Sequence, residues 1–167
     1  NIGIQYWAID KKVYGFTPDR ANYFLPLGGN DVLNALYRWM NRPTGSYSTS
    51  AGGTLGNVAD GNTDTICTQI TPNGNISVNY GSSPEYLGSI GFMPYVASGG
   101  DAVWSYVLEA SSDNITWKAL YTATSATVTD GQWVWQDIDP GQNVAYYRMQ
   151  ATNNTTLALR ELYFGTN

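Results

Sequence analysis

From Asn57 onward, apolar residues recur at every second position in short runs broken by turn residues. Ile76, Val78 and Tyr80 alternate with Ser77 and Asn79, and Trp104, Tyr106, Leu108 and Ala110 alternate with Ser105, Val107 and Glu109. Residues two apart share one face of a strand, so each run describes a strand with a buried side. Asp113-Asn114 marks a hairpin leading into residues 116–120, and Asp139-Pro140-Gly141 marks another turn. Trp133 and Trp135 alternate with Val134 and Gln136; Ala145, Tyr147, Met149 and Ala151 form one face of the next strand. The closing run puts Leu157, Leu159, Glu161 and Tyr163 on one side. Strands about ten residues apart with such turns predict an all-β antiparallel sandwich or jelly roll.

Composition agrees with that pattern and removes several functions. The chain has 167 residues, enough for one domain or one domain with an appended segment. Only 13% are charged, while six Trp and thirteen Tyr supply a large aromatic payload, the reverse of a disordered composition. A net charge of −5 argues against nucleic acid or an anionic membrane as the main partner. No His is present, so neither a Ser–His–Asp nor a Cys–His mechanism can be assembled. Imidazole-based zinc sites are excluded as well, and the lone Cys67 can form neither a thiolate cluster nor an internal disulfide. The sequence holds no apolar run of about 18 residues that would suggest membrane insertion. The first residue is Asn1, with nothing like a signal peptide, so a processed product or part of a longer polypeptide is expected.

Three zones divide the chain. Residues 1–45 hold five of the eight basic residues, Lys11, Lys12, Arg20, Arg38 and Arg42, and read as a short β-rich segment. Within it Asn30-Asp31 could cap a helix from Val32 to Met40, with a strand as the alternative. Residues 46–56 are rich in Gly, Ser and Thr and read as a linker. Residues 57–167 form the predicted sandwich.

Residues 57–65 carry the most chemistry. Asp60 offers a carboxylate, Gly61 a sharp turn, and Thr65 a hydroxyl and a carbonyl, oxygen donors of the kind a hard cation gathers. The same composition also serves a plain Asx turn. Trp104, Trp133 and Trp135, with Tyr95 and Tyr121, could stack on a sugar, although alternating Trp in strands is commonly packing surface, and Trp117 reads as core. Glu85, Glu109 and Glu161 show no paired-carboxylate pattern, so no catalytic residues are assigned. The acceptor triplets starting at Asn75, Asn114, Asn153 and Asn154 are read as chance matches.

Four motifs in order, Ala59-Asp60-Gly61-Asn62 with Thr65, Tyr106 to Trp117, Tyr146-Tyr147-Arg148-Met149, and Leu159 to Gly165, resemble a discoidin domain. That group includes coagulation-factor C-type domains and family-32 carbohydrate-binding modules. The resemblance covers roughly residues 50–167 and implies a galactose-binding-like jelly roll. It further implies a structural Ca2+ held by Asp60 and Thr65 side chains and Asn57 and Asn62 carbonyls, with Glu161 closing the shell. The competing reading has Glu161 solvated or paired with Arg148 or Arg160. A second resemblance, on Gly3 to Trp7, Tyr23 to Pro26, Asp31-Val32 and Arg38, is to tailed-bacteriophage head–tail adaptor and collar proteins. Together they imply a non-enzymatic virion protein bound to other virion proteins, with a discoidin-like domain that packs on neighbours or displays a host-glycan face. The alternative expectation is a carbohydrate-binding module of a secreted bacterial glycan-active protein.

Overall fold

The computed structural model describes residues 45–50, 54–60, 62–66 and 68–165. Among them nine strands form two sheets. They are β1 (Ser46–Thr49), β2 (Thr68–Ile70), β3 (Asn75–Asn79), β4 (Ser89–Pro94), β5 (Asp101–Ser111), β6 (Lys118–Thr129), β7 (Val134–Asp137), β8 (Tyr146–Ala151) and β9 (Leu157–Gly165). One sheet has the order β1-β3-β8-β5-β6 and the other β2-β9-β4-β7, with every pairing antiparallel. Successive strands mostly alternate between sheets, as in a jelly roll, so connecting loops gather at two ends. Loops after β2, β4, β6 and β8 meet at one end; those after β3, β5 and β7 meet at the other.

The expected alternation supplies the core. Ile76, Val78, Tyr106, Leu108, Tyr147 and Met149 from the five-stranded sheet meet Ile70, Ile90, Phe92, Leu162 and Phe164 from the other. Full burial of side chains this large stabilises by roughly 1.5–3 kcal/mol each before entropy is charged against it. Phe92 stacks on Trp104 with centroids 6.0 Å apart and meets Tyr106 edge-on at 5.3 Å. Tyr147 is buried, yet its hydroxyl is satisfied: it donates to the Glu85 carbonyl at 2.8 Å and accepts the Leu87 N–H at 3.1 Å. One phenol thereby satisfies the Leu87 N–H at the buried end of the otherwise exposed β3–β4 loop and adds to the Val144 N–H already on the Glu85 carbonyl.

Three expectations are corrected. Residues 46–49, read as linker, are an edge strand paired with β3, where Ser48 and Ser77 hydroxyls bond at 2.8 Å and Tyr47 packs toward Phe164. An edge strand needs backbone pairing and one apolar side chain, a signal too sparse to separate from a linker. Trp117 is not core; it lies half-buried under the Arg148 guanidinium, 4.0 Å from its centroid, and Arg148 also pairs with Glu109. The closing run does not keep one face. Met93 opposes Glu161 while Pro94 opposes Leu159, so Arg160 is an inserted bulge residue. The extra residue reverses parity: Leu157 and Leu159 enter the core, then Leu162 and Phe164 do, and Glu161 and Tyr163 turn to the other face. The helix-or-strand expectation at Val32 to Met40, and Cys67, lie outside the described residues.

Tyr147→Phe removes two hydrogen bonds and leaves the buried Leu87 N–H without its acceptor, while the Glu85 carbonyl keeps the Val144 N–H at 3.0 Å, so urea unfolding is expected to show a loss of about 1–3 kcal/mol. Burial pushes the phenols of Tyr106 and Tyr147 up to about 12 from the ordinary value of 10.0. The raised folded-state values mean that their contribution is intact below pH 10 and is lost as pH rises toward 12. Thermal melts between pH 9 and 12 (roughly the phenol range) should fall progressively, and a flat profile contradicts this assignment.

Candidate functional site

The 57–66 loop folds back on itself through its own oxygens. Asp60 Oδ1 accepts the Asn62 N–H at 2.6 Å, and the Thr65 hydroxyl lies 2.8 Å from the Asn62 carbonyl and 3.4 Å from Asp60 Oδ2. The Asn57 amide spans the loop to the Ile66 carbonyl at 3.3 Å. Strand β9 is sewn to this loop on both sides of Glu161: Arg160 Nη1 donates to the Thr63 carbonyl at 2.9 Å, and the Leu162 N–H donates to the Val58 carbonyl at 2.8 Å. The expected neighbours of an ion shell, the Asp60 turn and the last strand, are therefore brought together. Glu161 is 0% exposed, so it is not a solvated surface acid, and Arg148 and Arg160 are engaged by Glu109 and Asp130. Among the described residues no group of three or more Asp, Glu, Cys or His side chains gathers as a metal cluster. Any cation here would draw mainly on hydroxyl and carbonyl oxygens around two carboxylates, a donor set suited to a hard ion.

The expected aromatic platform divides. Trp104 is 4% exposed and stacked on Phe92 in the core, so its faces are closed to a sugar. Tyr121 leans on Tyr106 at 6.2 Å, half-buried at the margin of the core. Trp133 and Trp135 lie on the face of the four-stranded sheet turned away from the core, half-buried and stacked at 5.5 Å. Trp133 also stacks on Tyr163 at 5.1 Å, and Trp135 lies flat over Gly91. A Cβ at position 91 would fall 2.5 Å from the Trp135 ring, so the absence of a side chain there is what admits the indole.

At the end where the loops after β4, β6 and β8 meet, a polar cluster surrounds Tyr95. The Arg160 guanidinium sits 5.0 Å from the Tyr95 centroid and pairs with Asp130 at 3.3 Å. Asp130 Oδ1 accepts the Val96 N–H at 2.8 Å, and the Asp130 N–H bonds the Gly100 carbonyl at 2.8 Å, which ties the β6–β7 loop to the β4–β5 loop. Asn153 and Asn154, in the neighbouring β8–β9 loop, both take left-handed backbone conformations. The sequence reading placed Tyr95 among the aromatics but missed Asp130 and the positioning part of Arg160, because a bulge residue carries no periodic signal. Of the acids considered for catalysis, Glu109 is paired with Arg148, and Glu85 forms an isolated bridge with Val144.

No sequence-family model matches the chain. No curated protein matches it either. Solved structures do. CpGH89CBM32-5 from Clostridium perfringens, in complex with GalNAc-β-1,3-galactose, superposes with a TM-score of 0.55 at 12% identity, over 73% of this chain and 95% of that one. The sandwich has the fold of family-32 carbohydrate-binding modules. CBM32-1 from a family 31 glycoside hydrolase of the same organism gives 0.59 at 14% identity, over 77% and 99% of the two chains. A point mutant of a chitosan-binding module from a chitosanase/glucanase of Paenibacillus sp. IK-5 gives 0.55 at 19%, over 77% and 98%. The discoidin resemblance is thus upheld at the level of fold. These likenesses lend no support to the phage-virion expectation, and residues 3–42, which carry that resemblance, lie outside the described residues.

Gly91→Ala should drive the Trp135 ring off β4, seen as a changed near-ultraviolet circular dichroism band and a stability loss of about 1–3 kcal/mol. An unchanged aromatic spectrum would show that the indole does not depend on this close approach.

Proposed function

We propose that residues 45–165 form a non-catalytic carbohydrate-binding module whose ligand lies against the loop end containing Tyr95. The cluster of Tyr95, Arg160 and Asp130 carries this reading. A pyranose offers an apolar C–H face and a ring of hydroxyls, so it calls for an aromatic surface beside polar groups held in fixed directions. Tyr95 supplies the ring; Arg160 and Asp130 are held by each other, by the Thr63 carbonyl and by the Val96 amide. Such preorganised groups lose little entropy when a ligand arrives. Trp133, which follows Asp130 after two residues, is the remaining aromatic candidate from the sequence. The modules of like fold come from a glycoside hydrolase and a chitosanase/glucanase, which favours a targeting role beside a catalytic partner in a secreted bacterial protein. On a broad glycan array at high protein concentration, hits are expected that weaken at least about tenfold with Tyr95→Ala or Asp130→Ala. Failure to bind any glycan at millimolar sugar would overturn the reading.

A structural Ca2+ belongs to the same proposal. Asp60 and Thr65 side chains, Asn57 and Asn62 carbonyls and the buried Glu161 would hold it; the bound ion would neutralise the carboxylates and pin β9 to the loop. Chelation should lower the melting temperature of the whole chain, and Asp60→Ala should abolish that response. Equal melting curves with and without chelator, in both proteins, would remove the ion.

A further inference from the structure

At the end of the sandwich remote from Tyr95, the β5–β6 hairpin and the β7–β8 loop enclose a cleft of about 220 Å3. Ala110, Pro140 and Val144 give it a buried apolar floor. Exposed polar side chains form its rim, with Thr116 and Lys118 on one wall and Gln142 on the other.

Both walls are locked by carboxylates. Asp113 Oδ1 accepts the Thr116 N–H at 2.7 Å, the Ile115 N–H at 2.8 Å and the Ser111 hydroxyl at 2.9 Å. Those amides hold its carboxyl down to about 2, so Asp113 is an anionic acceptor. Asp139 Oδ1 takes the Gly141 N–H and the Tyr86 hydroxyl, each at 2.7 Å, and fixes the opposite wall. Lys118 crosses between the walls and donates to the Pro140 carbonyl at 3.2 Å. An ammonium has three N–H donors, so two remain for a ligand.

We infer that this cleft binds a single uncharged sugar residue, a site separate from the Tyr95 end. The choice of sugar as ligand class rests on the carbohydrate-binding reading; the cleft itself does not share its residues. An apolar floor with a few fixed polar groups is the composition of a ligand pocket, and the volume lies below the ~300–1,000 Å3 of pockets for larger ligands. One ring fits that description better than a chain. Sugar hydroxyls both donate and accept, as a rim carrying Asp113, Lys118 and Gln142 requires. The positive charge of Lys118 is offset by Asp139, and Asp113 adds a second carboxylate at the rim, so the cleft has no net pull on an anion. Strand β5 joins the two ends with eleven residues, a length of roughly 30 Å once its two register shifts are allowed for. No short oligosaccharide spans that distance, so the module is bivalent and gains avidity on a polymer with many chain ends.

Amide NMR spectra of the full chain, titrated separately with galactose, N-acetylgalactosamine, glucose and glucuronate, test this directly. Saturable shifts are expected at residues 112–118 and 141–144 with at least one uncharged sugar, equally in wild type and in Tyr95→Ala. Lys118→Met, a surface change, should weaken those shifts at least about tenfold while leaving any shifts at residues 95–100 and 130–133 intact. The inference is overturned if no uncharged sugar moves the cleft amides, if only glucuronate does, or if Lys118→Met titrates like wild type. Shifts confined to the cleft would count against the Tyr95 site alone, and shifts confined to the Tyr95 end against the cleft alone.

Discussion

Strand β9 runs through the four-stranded sheet between β2 and β4, and Arg160 is inserted into it with no opposite residue on β4. A strand has only two faces, so one added residue exchanges them for everything that follows. Leu157 and Leu159 belong to the core before the bulge; Leu162 and Phe164 belong to it afterwards. Without the insertion, either the first pair or the second would leave the interior. The bulge also lets Arg160 reach Thr63, Asp130 and Tyr95. Packing and site geometry therefore share one cause, and the polar cluster is a by-product of keeping four large apolar side chains inside.

The tryptophans show how much a tertiary neighbour decides. Trp104, Trp133 and Trp135 have the same alternating context in the sequence. Trp104 faces the opposing sheet and is enclosed against Phe92, whereas Trp133 and Trp135 face away from it. Trp135 can lie flat because Gly91 stands beneath it across the β4–β7 pairing. Trp117 differs again: Arg148 covers it on the outside of the other sheet, a cation–π contact combined with the pairing to Glu109. Alternation says that a ring lies on one face; it does not say which face, nor what covers it.

At both ends of the sandwich, carboxylates do work that a larger loop would need more chain to do. Asp113 and Asp139 each gather loop donors on one oxygen, and Asp130 ties two connections together. Loops fixed in this way have spent their conformational entropy at folding, and that favours recognition by rigid surfaces over induced closure. Asn114, Asn153 and Asn154 assist by accepting left-handed backbone at the loop tips, which larger residues resist.

The chain by itself determined the all-β class, the positions of most strands from β3 to β9 and the core-facing rows of β3, β5 and β8, because period-two alternation is a local pattern tied to a local geometry. It also held the Asp60 turn, since Asp, Gly, Asn and Thr in close succession have few other uses. Tertiary structure decided the edge strand at residues 46–49, the reversal at Arg160, the fates of the individual tryptophans and the cluster that joins Tyr95, Asp130 and Arg160. Each of those depends on pairing between segments far apart in the chain, and a register one residue different would have left the sequence pattern untouched while moving every side chain to the other side of the sheet.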